Sequence, residues 1–354
     1  MFDWQHDRCD DWDVPDTPLN VYRRKDGQLV GLSTHWENRR FLIDGKHQFH
    51  RDCRIIYKGK ENPDPAAYDD KTWITSTWTQ DGSTVYSVAH NEYQGHAHAG
   101  KCPSGSYLPC WYNSIVLLKS SDGGESFSRV QGEPPIASAG FRYEALQGMP
   151  RGFFLPTDIV KDGNYFYTLI FTTGGAGQKP GNCLFRTSNI GDARAWEYWT
   201  GTGYYPSAIS PYTTPDKTKP NCEPVKGLEG RVWSLRRHRS TGLYLATVGM
   251  PSSDASTNTV GISVSRDLKE WSGPPIKLLS VPLNSSNNCN DKVRYAYPSL
   301  IDLNSPDPNF SEVGDDAELY MTELEVVNCG LTNRRNLVRY RVKVSALLNQ
   351  RRIQ

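Results

Sequence analysis

The 354-residue sequence has no run of apolar residues long enough to form a membrane-spanning helix. Its 40 Lys and Arg residues balance 39 Asp and Glu residues, which leaves a formal net charge of +1. Nucleic acids and anionic membranes favour proteins with a basic surplus, so we expect neither of them as a partner. The sequence also lacks a Gly-x-Ser-x-Gly element and a phosphate-binding glycine loop, which argues against a serine hydrolase and a nucleotide-binding site.

No Cys-x-x-Cys pair occurs among the eight cysteines, which argues against a zinc ribbon or a redox motif. Their number is even and most lie in loops rich in Gly, Pro and Asn, which favours disulfides formed in an oxidising compartment. Spacing alone does not determine the connectivity. One scheme that fits pairs Cys9 with Cys53, Cys102 with Cys110, Cys183 with Cys222 and Cys289 with Cys329.

Two segments, Asn284-Ser285-Ser286 and Asn309-Phe310-Ser311, match the acceptor sequence for N-linked glycans. Together with the cysteines they favour a secreted, extracellular glycoprotein. The chain opens with Met1-Phe2-Asp3-Trp4, which does not resemble a leader, so we expect a mature sequence whose signal peptide has been removed.

A hairpin pattern returns five times along the chain. In each copy, two runs of aromatic and β-branched residues flank a connection, and Asp-Gly in that position is the strongest short-range hairpin signal. In the third copy the pattern places the first strand at Thr157–Val160. The turns lie at 25–27, 80–82, 161–163 and 240–242, and a longer connection joins 297–301 to 318–321.

Three of these units close with a strand, a polar turn and an aromatic residue, at 121–127, 186–196 and 265–271. This ending resembles the Asp box of sialidase-type propellers, although ordinary β-turns are the simpler alternative. Repeats of this length are typical of propellers and solenoids. We therefore predict an all-β fold, a five-bladed β-propeller with four-stranded antiparallel blades around a central funnel. The single domain would span 1–354, with blades at roughly 14–64, 65–135, 150–202, 225–282 and 290–345.

Three segments are similar to the five-bladed propeller glycosidases of the arabinanase, xylosidase and fructosidase group. They are Asp16-Thr17-Pro18 before the first hairpin, 154–167 around the third, and 228–233 at the start of the fourth. Other segments, 38–40, 90–93 and 183–187, resemble a group of secreted bacterial and fungal proteins of unassigned function, a resemblance that implies no activity.

The resemblance to the glycosidases implies three catalytic roles. Asp16 would be the general base or nucleophile, and Asp158 would orient the acid and stabilise the transition state. Glu229 would be the general acid, with Glu223 as its competitor. Such a pair of carboxyls protonates the leaving oxygen and activates water or attacks the sugar, and widely spaced carboxyls slightly favour inversion.

The first strand of each unit would line the funnel, so polar and aromatic side chains near these strands are candidate substrate contacts. Guanidinium groups bind carboxylates through a fork, and aromatic faces stack on sugar rings. The candidates for substrate binding are His35, Arg40, Trp73, His90, Glu92, Arg186, Arg294 and Tyr295. His90, His96 and His98 could alternatively hold a metal ion, but a polar loop beside Gly95 is the simpler interpretation, and we predict no catalytic metal.

The first functional hypothesis is a secreted, monomeric glycoside hydrolase acting on a plant or microbial polysaccharide or oligosaccharide, with a furanoside such as arabinan favoured by the resemblance. It would require no cofactor, and a structural calcium ion on the axis would be compatible with the fold. The second is a polysaccharide lyase, which would abstract a proton beside a uronate carboxylate. The base, the proton donor and the cation that neutralises the carboxylate would come from His35, His90, Arg40, Arg186, Tyr93 and Tyr295. The third is a carbohydrate-binding propeller without catalysis.

Overall fold

The computed structural model describes residues 1–130, 132–138, 142–175, 177–212, 220–228, 230–250 and 259–352. Within these residues the chain is mostly β-structure, arranged as five antiparallel meanders in which strands that follow one another along the chain are hydrogen-bonded neighbours. A short helix, α1 (Trp4–Asp7), precedes the first meander, and α2 (Val344–Arg352) follows the last. The fold is therefore all-β, as the sequence predicts.

The first two meanders occupy the first third of the chain. Meander 1 contains β1 (Asn20–Arg23), β2 (Leu29–Leu32), β3 (Glu37–Ile43) and β4 (Phe49–Lys58), hydrogen-bonded in that order. Meander 2 contains β5 (Lys71–Thr79), β6 (Val85–Gln94) and β7 (Trp111–Ser120), and two short strands, β8 (Ser128–Arg129) and β9 (Ala137–Ser138), pair with β7.

Meander 3 contains β10 (Arg151–Pro156), β11 (Val160–Asp162), β12 (Tyr165–Thr172), β13 (Gly181–Thr187), β14 (Trp196–Trp199) and β15 (Tyr204–Pro206). Strand β10 pairs in parallel with β7, which joins meanders 2 and 3 into one sheet. At this junction Gly152 has a φ of +102°, and a Cβ there would lie 2.0 Å from the carbonyl oxygen of Asn113, so the close approach requires glycine.

The last two meanders complete the fold. Meander 4 contains β16 (Val232–His238), β17 (Tyr244–Met250), β18 (Thr259–Ser265) and β19 (Trp271–Ser280). Meander 5 contains β20 (Val293–Ile301), β22 (Asp316–Val327) and β23 (Gly330–Lys343), while the short strand β21 (Glu312–Val313) pairs in parallel with β16 of meander 4.

The hairpin prediction is wrong at one place, the first strand of meander 3. We predicted a strand at Thr157–Val160, but β10 ends at Pro156 and only Val160–Asp162 pairs with β12 before the turn. Proline has no N–H to donate to the ladder, and the register of β10 against β12 shifts between Phe154 and Pro156. Thr157 then bonds through its own side chain, whose hydroxyl accepts from the backbone N–H of Leu169 at 3.0 Å.

The polar turns that close three of the units are built as the sequence predicts. Asp267 accepts hydrogen bonds from the backbone N–H groups of Lys269 and Glu270 at 3.0 and 2.9 Å, and Asp122 accepts one from Ser126 at 3.1 Å. The aromatic residues that follow, Phe127, Trp196 and Trp271, are all buried. A buried ring thus packs each turn against its meander, and a capping carboxylate stabilises the turns at Asp122 and Asp267.

Five apolar clusters lie between the meanders, and they show how the meanders are arranged. One cluster joins meanders 1 and 2, and others join 2 with 3, 3 with 4, and 4 with 5. The remaining cluster packs Phe41 of meander 1 against Ile301 and Tyr320 of meander 5. The fifth meander therefore returns to the first, so that the order of packing is cyclic.

A buried polar network links all five meanders at their first strands. Asp158 accepts from the side chain of Asn20 at 2.8 Å and from the backbone N–H of Leu235 at 3.3 Å, and it forms an ion pair with Arg236. Arg236 donates to the carbonyl oxygen of Leu300 at 2.8 Å. The hydroxyl of Thr77 completes the network by bonding Asn20. We call Asn20, Thr77, Asp158, Arg236 and Leu300, one residue from each meander, the axial network.

All four disulfides of the scheme that fits the sequence spacing are present: Cys9–Cys53, Cys102–Cys110, Cys183–Cys222 and Cys289–Cys329. Each joins segments of one meander or the loop leading into it, so the disulfides reinforce meanders rather than connect them. No helix within the described ranges is long and apolar enough to span a membrane.

Candidate active site

Eight polar side chains gather where the first strands of the meanders begin. Asp16 and His35 come from meander 1, His90, Glu92 and Tyr107 from meander 2, Arg231 from meander 4, and Tyr297 and Arg335 from meander 5. We call these eight residues the apical site. Meander 3 contributes the rings of Phe154 and Phe171 below the guanidinium of Arg231.

Asp16 lies just before β1 and is held at one of its two carboxylate oxygens. Its Oδ1 accepts from the hydroxyl of Tyr297 at 3.1 Å and forms an ion pair with Arg335. Among the described residues no donor bonds Oδ2, and about a fifth of the side chain is exposed. Arg335 therefore compensates the charge of this carboxylate while one oxygen stays free for a ligand.

Glu92 lies near the end of β6 and is bound at both oxygens. His90 Nε2 lies 3.0 Å from Oε1, while Gln94 and Tyr107 donate to Oε2 at 2.9 and 3.2 Å. No Arg or Lys among the described residues pairs with this carboxylate. Glu92 thus differs from Asp16, because its partners are an amide, a phenol and an imidazole rather than a guanidinium.

The imidazole of His35 lies between these two carboxylates. Burial lowers its pKa, while the charges of Asp16 and Glu92 act in the opposite direction and that of Arg335 adds to the lowering. The ring stacks on Trp12 at 5.9 Å and meets Trp73 edge-on at 5.9 Å. The lowered pKa therefore favours the neutral form of the His35 imidazole within the site.

Burial also governs the two tyrosines of the site. It raises the pKa of Tyr107, and the neighbouring charge of Glu92 raises it further. It likewise raises the pKa of Tyr297, beside Asp16. Both phenols are therefore protonated at neutral pH and can donate hydrogen bonds to the two carboxylates.

The aromatic walls of the site come from irregular places in the first strands. In meanders 2 to 5 the pairing of the first strand shifts register at or beside an aromatic residue. These four residues are Trp73, Phe154, Trp233 and Tyr297. A bulge turns a side chain away from the regular alternation of a strand. Tyr297 shows this most clearly, since its φ of +58° is unusual for a residue other than glycine.

No protein-family model matches the sequence, and no curated protein matches it. Solved structures do match. An endo-1,5-α-L-arabinanase from Thermotoga petrophila, solved with TRIS, aligns over 93% of this chain and 71% of its own, with a TM-score of 0.52 and 10% sequence identity. The chain has the fold of this arabinanase.

Other glycosidase structures align over more of their own length. The α-L-arabinanase of Cellvibrio cellulosa in complex with arabinohexaose aligns over 96% of this chain and 97% of its own, at 11% identity and a TM-score of 0.48. The β-xylosidase RS223 aligns over 94% and 93%, at 12% identity and a TM-score of 0.49. At the level of the fold, the match to the Thermotoga arabinanase confirms the resemblance noted in the sequence.

Five of the residues singled out in the sequence lie at the apical site of this arabinanase-like fold. Asp16, His35, His90 and Glu92 belong to it, and Trp73 packs between the two histidines at 5.9 and 6.0 Å. His96 and His98 do not join His90 around a common point, because His98 bonds Asp70 at 2.9 Å and His96 packs against Tyr107. No group of three or more potential metal ligands occurs within the described part of the chain.

Two of the other catalytic candidates lie away from the apical site, and the third cannot be placed. Asp158 belongs to the axial network, where Asn20, Leu235 and Arg236 occupy its carboxylate. Glu223 is exposed and pairs with Lys179 at 2.9 Å. Glu229 lies outside the described residues. The calcium ion considered for the axis also stays a prediction, and a cation there would lie beside the guanidinium of Arg236.

The remaining binding candidates are engaged by other described residues of the protein, and of these bonds only that of Arg40 with Glu125 reaches a neighbouring meander. Arg40 bonds Asp52 and Glu125, and Arg186 bonds Glu197 at 3.0 Å between two tyrosine rings. Arg294 bonds Asp291 at 3.2 Å, and Tyr295 donates to Glu323 at 3.1 Å. A role of these four residues in substrate binding stays a prediction.

Sequence reasoning missed four residues of the site: Tyr107, Arg231, Tyr297 and Arg335. Tyr297 is the first residue of the run 297–301 in the fifth hairpin, and Arg231 follows two positions after the candidate Glu229. Tyr107 lies in the loop closed by Cys102–Cys110, and Arg335 lies on the last strand of meander 5. No local pattern marks either residue, because tertiary packing alone brings them to the site.

Proposed function

We propose that the protein is a secreted glycoside hydrolase and that the apical site is its active site. The five meanders would be the blades of a single five-bladed β-propeller spanning 1–354, and the apical site would lie at one end of its axis. The cyclic packing of meander 5 against meander 1 supports this architecture. The shared fold with an endo-1,5-α-L-arabinanase supports the class of reaction.

One observation carries the proposal: two carboxylates from different meanders meet at one aromatic-lined site. Asp16 precedes β1 and Glu92 lies on β6, yet both act on the imidazole of His35. Glycoside hydrolysis needs two carboxyl groups around the scissile bond. Rings that line such a site, including Trp73 and Trp233, offer faces on which sugar rings stack.

The different surroundings of the two carboxylates suggest their roles. Asp16 is paired with Arg335 and has a free Oδ2, so we assign it as the general base or nucleophile, as the resemblance implies. Glu92 has no arginine or lysine partner among the described residues and hydrogen-bonds an imidazole and a phenol, so we assign it as the general acid in place of Glu229 or Glu223. Asp158 would act through the axial network by fixing the position of the first strands.

The substrate would be a plant or microbial polysaccharide or oligosaccharide. Arabinan is the first to test, since the match in fold is to an arabinanase. The experiment is a screen of the purified protein on arabinan, xylan, galactan, fructan and pectic polysaccharides, which follows reducing ends and ultraviolet absorbance together. New reducing ends without absorbance would support the hydrolase, and their absence on every substrate would count against it in favour of a binding propeller.

A polysaccharide lyase is the second candidate, because the site also holds neutral imidazole and phenol groups. Lyases need a base, a proton donor and a group that neutralises the substrate carboxylate. His35 could supply the base, Tyr107 or Tyr297 the donor and Arg231 the neutralising charge. Elimination leaves a conjugated double bond, so products that absorb in the ultraviolet would favour the lyase over the hydrolase.

Secretion is supported by the four disulfides, which are typical of oxidising compartments. Of the two glycosylation sequences, only that of Asn284 is exposed. The amide of Asn309 is buried and bonds the backbone of Thr79 in both directions, at 2.7 and 2.9 Å. We therefore propose Asn284 as the glycan acceptor of the folded protein.

A further inference from the structure

Arg231 carries a charge that no residue described by the structure pairs. Its Nε and Nη2 atoms are both buried, and neither finds a hydrogen-bond acceptor among the residues that the structure describes. The guanidinium lies over the ring of Trp233 at 4.3 Å and near Phe154 and Phe171 at 5.5 and 5.8 Å. Aromatic faces attract a cation, but they do not accept its N–H bonds as an oxygen would.

The two unpaired atoms form one edge of the guanidinium. Nε–H and one N–H of Nη2 point in parallel from this edge, and their spacing matches the two oxygens of a carboxylate. The other buried arginines near the site each keep one unpaired nitrogen, Nε of Arg335 and Nη2 of Arg236, but both form ion pairs, Arg335 with Asp16 and Arg236 with Asp158. Arg231 is therefore the arginine of the described apical site for which no carboxylate partner is found.

A buried cation without a hydrogen-bonded partner is costly to the folded protein. Burial lowers the pKa of Arg231 to about 10, although Tyr297 and Glu92 act to raise it. The group therefore remains charged at neutral pH but is poorly compensated. Sites that retain such a group in proteins commonly use it for ligands.

We propose that Arg231 binds a carboxylate of the substrate, so that the protein acts on an acidic, uronate-containing glycan. This inference rests on the proposed function, because it assigns a substrate class to the same apical site. The carboxylate would lie on the Nε–Nη2 edge, next to the ring of Trp233. The sugar that bears it would then contact Tyr297, which packs edge-on against Trp233 at 5.3 Å and bonds Asp16.

The charges of the site are consistent with an acidic sugar at this position. The site holds two carboxylates, Asp16 and Glu92, and two arginines, Arg335 and Arg231. Arg335 pairs with Asp16, whereas Arg231 has no paired carboxylate among the described residues. Glu92 lies near enough to interact with Arg231 but does not bond it. A substrate carboxylate would supply the hydrogen-bonded anion that the described residues do not provide.

The test compares matched acidic and neutral sugars by titration calorimetry. One pair is trigalacturonic acid and its full methyl ester, and the other is a glucuronic acid-substituted xylotriose and unsubstituted xylotriose. We expect wild-type protein to bind the acidic member of at least one pair about 10- to 100-fold more tightly. Arg231→Gln should abolish this preference, and Arg231→Lys, which keeps the charge but not the edge, should retain only part of it.

Arg194→Gln is the matched control, because this exposed arginine bonds Glu133 away from the apical site. It should leave the preference unchanged. Thermal unfolding of each variant shows whether it is folded. If the Arg231→Gln protein does not fold, the preference of the wild-type protein and of the Arg231→Lys variant for the acidic sugars tests the inference instead. Equal binding of acid and neutral sugar in both pairs, or a preference that survives Arg231→Gln, would overturn the inference.

The outcomes also separate this inference from the proposed function. Hydrolysis of neutral glycans that is unaffected by Arg231→Gln would retain the hydrolase and overturn the acidic substrate. A preference for the acidic sugars that depends on Arg231, without any new reducing ends from acidic polysaccharides, would retain the carboxylate site and overturn the hydrolase.

Discussion

At the scale of single residues, the two carboxylates of the apical site differ through their neighbours rather than their chemistry. Arg335 and Tyr297 fix one oxygen of Asp16, whereas Glu92 is surrounded by Gln94, Tyr107 and His90. A pair of carboxyls in unequal environments is what acid and base catalysis requires. The assignment of roles therefore depends on the hydrogen bonds that orient each group.

Replacing Tyr297 by Phe removes the hydroxyl that donates to Asp16 but keeps the ring that packs on Trp233. We expect kcat/KM to fall by about 10-fold, because one neutral hydrogen bond to the carboxylate is lost. The melting temperature should change little, since the packing surface is retained. Unchanged kinetics would show that this bond does not position Asp16.

Sequence reasoning singled out Asp16, His35, Trp73, His90 and Glu92, all of which lie beside a recognisable hairpin. The structure brings these residues together, and their functional roles stay predictions. It placed Asp158 among the catalytic groups because a short motif surrounds it. The contacts of Asp158 with Asn20 and Arg236 join residues more than 70 positions apart along the chain. No local pattern reports such contacts, so the sequence alone does not predict that Asp158 belongs to the axial network.

At the scale of elements, the loop closed by Cys102–Cys110 places Tyr107 over Glu92. Its ring also stacks on Trp111 at 4.8 Å. The disulfide spans a sequence separation of only 8, so most of its effect on the molecule should be local. The loop therefore contributes to the apical site by holding Tyr107 beside Glu92.

Replacing both Cys102 and Cys110 by Ser should reduce kcat/KM at least ~10-fold, because Tyr107 loses its fixed position. The free energy of unfolding should fall by about 2–3 kcal/mol. The matched control replaces Cys289 and Cys329, whose sequence separation is 40. That variant should lose about 4 kcal/mol but keep its activity. Equal activity of the two variants would contradict a role of this loop in the site.

A second group of charges joins meander 1 to the closing turn of meander 2. Glu125 bonds Arg40 at 2.7 Å and Arg54 at 2.5 Å, and it also pairs with Arg24. The hydrogen bond from Arg40 is the main cause that lowers the pKa of Glu125 to about 2, with burial opposing it. A carboxyl whose pKa is lowered on folding stabilises the folded state only while it is ionised.

Glu125→Gln should therefore cost about 1–3 kcal/mol at pH 7, where the wild-type carboxylate is ionised in both states. The stabilisation is present above the unfolded pKa of roughly 4.5 and is lost as the pH falls towards 2, because the folded carboxylate is then protonated. Urea unfolding of both proteins from pH 7 to pH 2 measures the difference. A difference that stays constant over this range would contradict the assignment.

The elements themselves were largely predictable, because Asp-Gly turns between alternating apolar runs specify hairpins locally. The register shifts at Trp73, Phe154, Trp233 and Tyr297 were not. A shift of this kind depends on how the first strand meets its neighbours in the other meanders, and the alternation of residues within one strand does not reveal it.

At the scale of the whole molecule, the axial network connects the five meanders through buried polar groups. Asp158 and Arg236 are both almost fully buried, and each also bonds a different meander. Removing one partner of a buried ion pair leaves an uncompensated charge, which is strongly destabilising. The network should therefore control the stability of the fold more than the chemistry of the site.

Asp158→Asn should lower the free energy of unfolding by about 3–5 kcal/mol, as measured by urea denaturation. Arg237→Gln is a suitable control, because this neighbour in β16 lies outside the axial network. We expect folded Asp158→Asn protein to retain much of its activity below its melting temperature. A variant of full stability without activity would contradict this account and support the catalytic role that the sequence resemblance implies for Asp158.

The all-β class and the repeat of five units could be inferred from the sequence, because each unit carries its own turn signals. The contacts that close the cycle of meanders and the full set of residues at the apical site could not be inferred in the same way. Both depend on contacts between the first and the last meander, such as Arg335 with Asp16 and Ser299 with Leu19. Such contacts follow from the closure of the whole chain.

The most direct test of the central claim compares Asp16→Asn and Glu92→Gln on two substrates of the same sugar. One substrate is the natural glycan identified by the screen, and the other is an aryl glycoside whose leaving group needs no protonation. Both variants should lose about 10²- to 10⁴-fold in kcat/KM on the glycan. Glu92→Gln alone should recover most of its rate on the aryl glycoside, because only the general acid becomes dispensable. Full activity of either variant on the glycan would contradict the assignment of this carboxylate pair.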